Sequence, residues 1–64
     1  MLSLQEWRRA KKVSRAELAK ELGVSPSTIL KWETQGTKIP VQMAIKTCDF
    51  LGVELSEVNF FAQD

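Results

Sequence analysis

The stretch from Ser14 to Glu33, SRAELAKELGVSPSTILKWE, constrains the fold of this chain more than any other. It reads as one helix, a sharp turn and a second helix. Ser14-Arg15-Ala16-Glu17 is a capping box, in which a serine hydroxyl and a glutamate three residues on each satisfy a backbone N–H at a helix start. Leu18, Ala19 and Leu22 then recur along one face. Gly23 ends the helix, because glycine takes up the left-handed backbone at little cost. Ser25 caps the next helix, and Pro26 stands at its first position, where a missing N–H costs nothing. Steeply crossing helices leave little choice at three points. A small residue at Ala19 lets them approach, Gly23 turns the chain, and Ile29 plugs the angle between them.

The rest of the chain repeats helical spacing, and no segment alternates convincingly with a period of two. Leu4, Trp7 and Ala10 line one face of a first helix over about residues 3 to 12. Val24 enters the core, and Ile29 and Trp32 face inward from the helix that runs out near Thr34-Gln35-Gly36. A loop through Gly36, Thr37, Lys38 and Ile39 leads to Pro40. Met43, Ala44, Thr47, Cys48 and Leu51 mark a fourth helix, stopped by Gly52. A short fifth helix is expected over about residues 54 to 60, tucking Leu55 and Val58 onto the core. The expected architecture is a compact all-α domain of five helices spanning residues 1–64, with the paired-helix unit at about 14–34.

Composition narrows the possible functions. With 64 residues the chain makes one domain, near the lower limit for folding without staples. Cys48 is the single cysteine and there is no histidine, so neither an internal disulfide nor a structural zinc site is expected, and no cofactor. No apolar run approaches the roughly 18 residues of a membrane span. Glu6 and the Arg8-Arg9 pair follow Met1-Leu2-Ser3-Leu4 too closely for a secretory signal, and the lone thiol, with stability left to helix packing and caps, points to a reducing cytoplasm. No glycine-rich phosphate loop or set of metal ligands is present and the chain is too short to enclose a pocket, so an enzyme is not expected. Net charge is only +1, but residues 1 to 38 hold eight Lys/Arg against four Asp/Glu, while residues 39 to 64 hold one against four. A basic front and an acidic back orient a molecule in a phosphate field.

A helix pair of this kind pushes its second helix outward, the shape that fits a DNA major groove. Here the chain closely resembles the Cro and phage-repressor (XRE-type) helix-turn-helix family, over roughly Leu4 to Val58. The resemblance rests on Arg8, on ELAKELGVSPSTILKWE at positions 17 to 33, on Pro40, and on LGVELSEV from Leu51. It implies a lambda-repressor-like fold whose helix beginning at Ser25 is the recognition helix. Ser27, Thr28 and Lys31 lie on its outer face, and the family's use of that face makes them base readers. Lys31 donates to guanine O6 and N7, and the two hydroxyls donate or accept. Pro26 stands where relatives often carry a base-reading glutamine and offers only apolar contact, for instance to a thymine methyl; Leu30 does the same if exposed.

Phosphate contacts are expected from Arg15 at the start of the second helix, from Ser25, and from Thr37 and Lys38 in the following loop. The family's matching positions pair Arg8 with Glu33, tying the first helix to the third, so Glu33 is a structural rather than a catalytic carboxylate. Trp7, Trp32 and Cys48 are assigned to the core, and Arg9, Lys11 and Lys12 to a solvated face. The function so implied is a sequence-specific regulator of double-stranded DNA, most simply a phage-type repressor. It would bind a near-palindromic operator as a homodimer, with no small-molecule ligand. An antitoxin that regulates its own operon with a toxin partner, and a protein-interaction module on the same fold, are the alternatives.

Overall fold

The computed structural model describes residues 2–35 and 38–60. It holds β1 (Leu2–Ser3), α1 (Leu4–Ala10), α2 (Arg15–Leu22), α3 (Pro26–Thr34), α4 (Val41–Leu51), a single 3-10 turn (Leu55–Glu57) and β2 (Val58–Asn59). α2 packs against both α3 and α4, and α1 lies against the two short strands.

Helix starts are set by local chemistry. The Ser14 Oγ accepts from the Glu17 N–H at 3.0 Å, and the Glu17 carboxylate accepts from the Ser14 N–H at 3.0 Å. Ser3 and Glu6 make the same reciprocal pair at the head of α1, at 3.2 and 2.9 Å. These backbone hydrogen bonds favour the ionised glutamates. First the serine backbone and then the serine hydroxyl hold both the Glu6 and Glu17 carboxyls below their ordinary value.

Helix ends share one device. Gly23 (φ 73°) and Gly52 (φ 73°) are left-handed and close α2 and α4. The next N–H reaches back each time: Val24 donates to the Ala19 carbonyl and Val53 to the Cys48 carbonyl, both at 3.0 Å. A Cβ built on either glycine would meet nothing within 4 Å, so backbone conformation rather than space demands glycine there. α1 ends in the same way, with Val13 N–H on the Arg8 carbonyl at 3.0 Å, but its left-handed residue is Lys12 (φ 59°).

The core is built from Leu4, Leu18, Ala19, Leu22, Ile29, Trp32, Ile39, Ala44, Cys48, Leu51 and Val58. Trp7, Val13, Val24, Met43, Val53 and Phe60 pack around it half-buried. Thr47 is wholly buried and satisfies its hydroxyl on the Met43 carbonyl at 2.7 Å. Cys48 is a core thiol, and burial pushes its pKa up, away from the reactive thiolate.

Three expectations are corrected. The fifth helix over residues 54 to 60 is instead one 3-10 turn followed by a strand, leaving four α-helices among the described residues. β2 pairs in parallel with β1, Leu2 opposite Val58 and Ser3 opposite Asn59. Val58 is extended (φ −106°, ψ 126°) and buried, so its side chain reaches the core by pairing with the other end of the chain. Leu55, expected on the core, is exposed on the 3-10 turn. Ala10 is also exposed: α1 buries Leu4 and Arg8 and half-buries Trp7, whose Nε1–H donates to the Glu57 carbonyl at 2.9 Å.

Lys12→Gly should stabilise the fold by about 1 kcal/mol, the left-handed penalty less the larger unfolded entropy of glycine. Urea denaturation measures it, and a loss of stability would show that the Lys12 backbone is unstrained. Acid should act through the caps. A carboxyl that is more acidic in the folded chain contributes fully above its ordinary value of 4.5 and loses that contribution as pH falls through the lowered one. Glu17→Gln should therefore flatten the fall in stability below about pH 4.5, which denaturation midpoints between about pH 6 and about pH 2 would reveal.

Candidate nucleic-acid interface

α3 buries one edge and presents the other. Ile29 is completely covered and Trp32 is buried, whereas Ser25, Pro26, Ser27, Leu30 and Lys31 are exposed and Thr28 is half-buried. The alternation follows from helical geometry: residues 29 and 32 share a face three positions apart, and 27 and 31 fall on the far side, whereas Thr28, expected on the outer face, lies at the flank beside Trp32 and is half-buried. The anchored face sets the depth at which the outer one stands.

The head of α3 carries a knot of hydroxyls. Ser25 is extended (φ −82°, ψ 153°), and its Oγ accepts from the Thr28 N–H at 3.3 Å. The same Oγ shares hydrogen bonds with the Ser27 and Thr28 hydroxyls, each at 3.0 Å. All three residues thus offer polar groups held at one end of the helix, beside the exposed ring of Pro26. Lys31 follows one turn on. Among the four residues expected to meet phosphate, Arg15 and Ser25 stand at helix starts and Lys38 is exposed; Thr37 lies outside the described residues.

Behind this surface sits a buried carboxylate with two arginines. The Glu33 side chain has 0% exposure, although its backbone is partly accessible. Arg8, with 8% of its side chain exposed, donates from Nε to Glu33 Oε2 at 2.7 Å and from Nη2 to Oε1 at 3.3 Å. Its Nη1 also donates to the Val13 carbonyl at 2.8 Å, so one side chain clasps the end of α1, the approach to α2 and the end of α3. Arg15 was not expected here. Its Nε donates to Glu33 Oε1 at 2.9 Å, while 32% of its side chain stays exposed. The phosphate ligand inferred from sequence is therefore also part of the ion-pair network, which helical spacing could not reveal because residues 15 and 33 lie on different helices.

Removing the shared carboxylate should be severe. Glu33→Ala leaves a buried guanidinium uncompensated and should cost about 3–5 kcal/mol. Arg15→Ala removes a third-exposed partner and should cost about 1 kcal/mol or less. Chemical denaturation followed by circular dichroism compares the two, and equal losses would contradict the central place given to Glu33.

Among the described residues no helix is long and apolar enough to cross a membrane, and no cluster of His, Cys, Asp or Glu is placed to hold a metal ion. No curated protein matches the chain. A family model described as "Helix-turn-helix" matches residues 4–58, nearly the whole of the sequence and all of α1 to α4. That match takes in the arginine clasp, the left-handed turn at Gly23 and the exposed head of α3. The chain belongs to the helix-turn-helix family of the Cro and phage-repressor (XRE) type, whose members bind double-stranded DNA as regulators.

Proposed function

We propose that this protein is a sequence-specific transcriptional repressor of phage or prophage type that lays the head of α3 in the major groove of its operator. The observation that carries this reading is the two-sided character of α3: Ile29 and Trp32 buried, Ser27 and Lys31 exposed, with Thr28 half-buried at the edge. Lys31 supplies a cationic donor for guanine O6 and N7, the commonest specific contact made in the major groove. The Ser27 and Thr28 hydroxyls exchange bonds made within the Ser25 knot for bonds to base edges, donating or accepting as the base requires. Pro26 and Leu30, both exposed, offer apolar contact to a thymine methyl. Arg15, Ser25 and Lys38, with Thr37, hold the flanking phosphates, which sets register without reading sequence.

One recognition helix with so few base-reading side chains discriminates weakly. Two copies related by a two-fold axis, with their helices about 34 Å apart on successive turns of the groove, double the number of contacts. Apolar side chains left in water support such pairing. Val41 is 71% exposed, and with the exposed Leu55 it lines a groove of about 310 Å³ whose walls include Ile39, Ala44, Val58 and Phe60; Ile45 is also exposed on α4. Regulation of the protein's own operon with a toxin partner would use the same DNA-binding edge and is distinguished by co-purification of that partner.

Selection of bound sequences from a random duplex pool tests the proposal and yields the site, its symmetry and the half-site spacing together. Lys31→Ala should relax preference at one base pair per half-site, costing about 1–3 kcal/mol of discrimination there, while leaving binding to random duplex nearly intact. Unchanged discrimination among operator variants would remove Lys31 from base readout.

A further inference from the structure

Arg15 does not end at Glu33. With its amide oxygen turned toward the guanidiniums, Gln5 accepts from Arg15 Nη2 at 3.0 Å and from Arg9 Nη2 at 3.3 Å. Gln5 and Arg9 lie one helical turn apart on α1, and Arg15 opens α2, so one amide bridges two cations from different elements. Arg9 is exposed and Gln5 and Arg15 are half-buried. Arg8 and Arg15 share the Glu33 carboxylate, and Arg9 joins Arg15 through Gln5. Glu6 and Glu17 turn their carboxylates to the Ser3 and Ser14 N–H groups rather than to these guanidiniums.

Among the described residues Glu33 is the carboxylate bonded to these guanidiniums, and the like charges of Arg9 and Arg15, bridged by Gln5, favour an anion that joins them. Arg15 spends its Nε on Glu33 and one Nη2 donor on Gln5, and a guanidinium has five donors in a fixed fork. The remaining donors of Arg15 and those of Arg9 stand side by side, held by Glu33 from within and by Gln5 from the flank. Two forks presented together suit an oxyanion with several acceptor oxygens, which a phosphodiester provides.

We propose that Gln5, Arg9 and Arg15 form one clamp for a DNA backbone phosphodiester, with Glu33 acting as the positioning residue that aims Arg15. The clamp rests on the DNA-binding reading and extends the phosphate contacts to α1. Gln5 accepts from the two arginines through its oxygen and offers its amide N–H to the phosphate. Arg9 thereby becomes a ligand rather than one charge on a solvated helix face.

The test measures binding of the full chain to a fixed random-sequence duplex across a salt series. Arg9→Ala and Arg15→Ala should each weaken binding roughly 5- to 10-fold and shallow the slope of log K against log salt by about 1. Gln5→Ala should weaken binding with the slope unchanged, since no charge is lost. Adding Gln5→Ala to Arg15→Ala should cost less than the product of the single effects, because both serve one phosphate. Arg15→Lys should keep the slope yet bind less tightly than the parent, since a lysine cannot hold Glu33 and Gln5 while presenting a fork. Lys46→Ala, an exposed cation on α4, is the control and should match the parent. Thermal melts of Arg9→Ala and Gln5→Ala confirm that the fold persists. If the parent binds and Arg9→Ala matches it in affinity and slope, or if the Gln5 and Arg15 effects multiply, the clamp is overturned while the DNA-binding reading stands. If the parent itself shows no salt-dependent binding, that reading falls and the clamp with it.

Discussion

A buried carboxylate organises this small domain. Glu33 sits at the end of α3, fully covered, with Arg8 of α1 on one side and Arg15 of α2 on the other. A buried carboxylate alone would be ruinous; bonded by two guanidiniums it is compensated, and its position becomes hard to change. Arg8 carries the constraint further by holding the Val13 carbonyl, the last link before α2. Three helices thereby share one fixed point, and α3 cannot rotate without breaking charge-assisted bonds. That fixed orientation decides which of its edges meets solvent.

Around that point the chain is kept short by abrupt helix ends. Left-handed residues at Lys12, Gly23 and Gly52 each stop a helix and let the following N–H reach back, leaving a hydrophobic residue aimed at the core. Val13, Val24 and Val53 all occupy that position. A domain with so little interior cannot spare loop residues, and these turns convert almost every connection into packing. The parallel contact between Leu2–Ser3 and Val58–Asn59 closes the structure by joining the two ends of the described chain. Trp7 reinforces it from above with its bond to the Glu57 carbonyl.

On the outside the same economy separates two kinds of polar surface. The head of α3 bears neutral hydroxyls and one lysine, groups suited to the varied donors and acceptors of base edges. The junction of α1 and α2 bears clustered guanidiniums, suited to the uniform charge of phosphate. Glu33 links the two, since it lies in the last turn of α3 and engages Arg15 directly. In the proposed complex, reading of sequence and grip on the backbone would be referred to one internal carboxylate, so that a phosphate seated on Arg15 would also help to fix where the α3 side chains stand.

Much of this was legible in the amino-acid order, wherever the controlling chemistry is local. The Ser14–Glu17 cap, the glycine stops and the inward row of Leu18, Leu22, Ile29 and Trp32 each depend on residues within a turn or two of one another. The Ser3–Glu6 cap has the same signature and was readable by the same rule. Tertiary structure alone decided the rest. Residues 54 to 60 look helical in isolation, but Val58 gains more by extending against Leu2 than by continuing a helix, and that partner lies at the opposite end of the chain. Nothing in the spacing of Arg15 and Glu33, or of Gln5 and Arg15, announces that they touch. Periodicity reports which side of a helix is apolar; only the crossing of helices determines which charges are brought within hydrogen-bond reach, because that depends on distances through space rather than along the backbone.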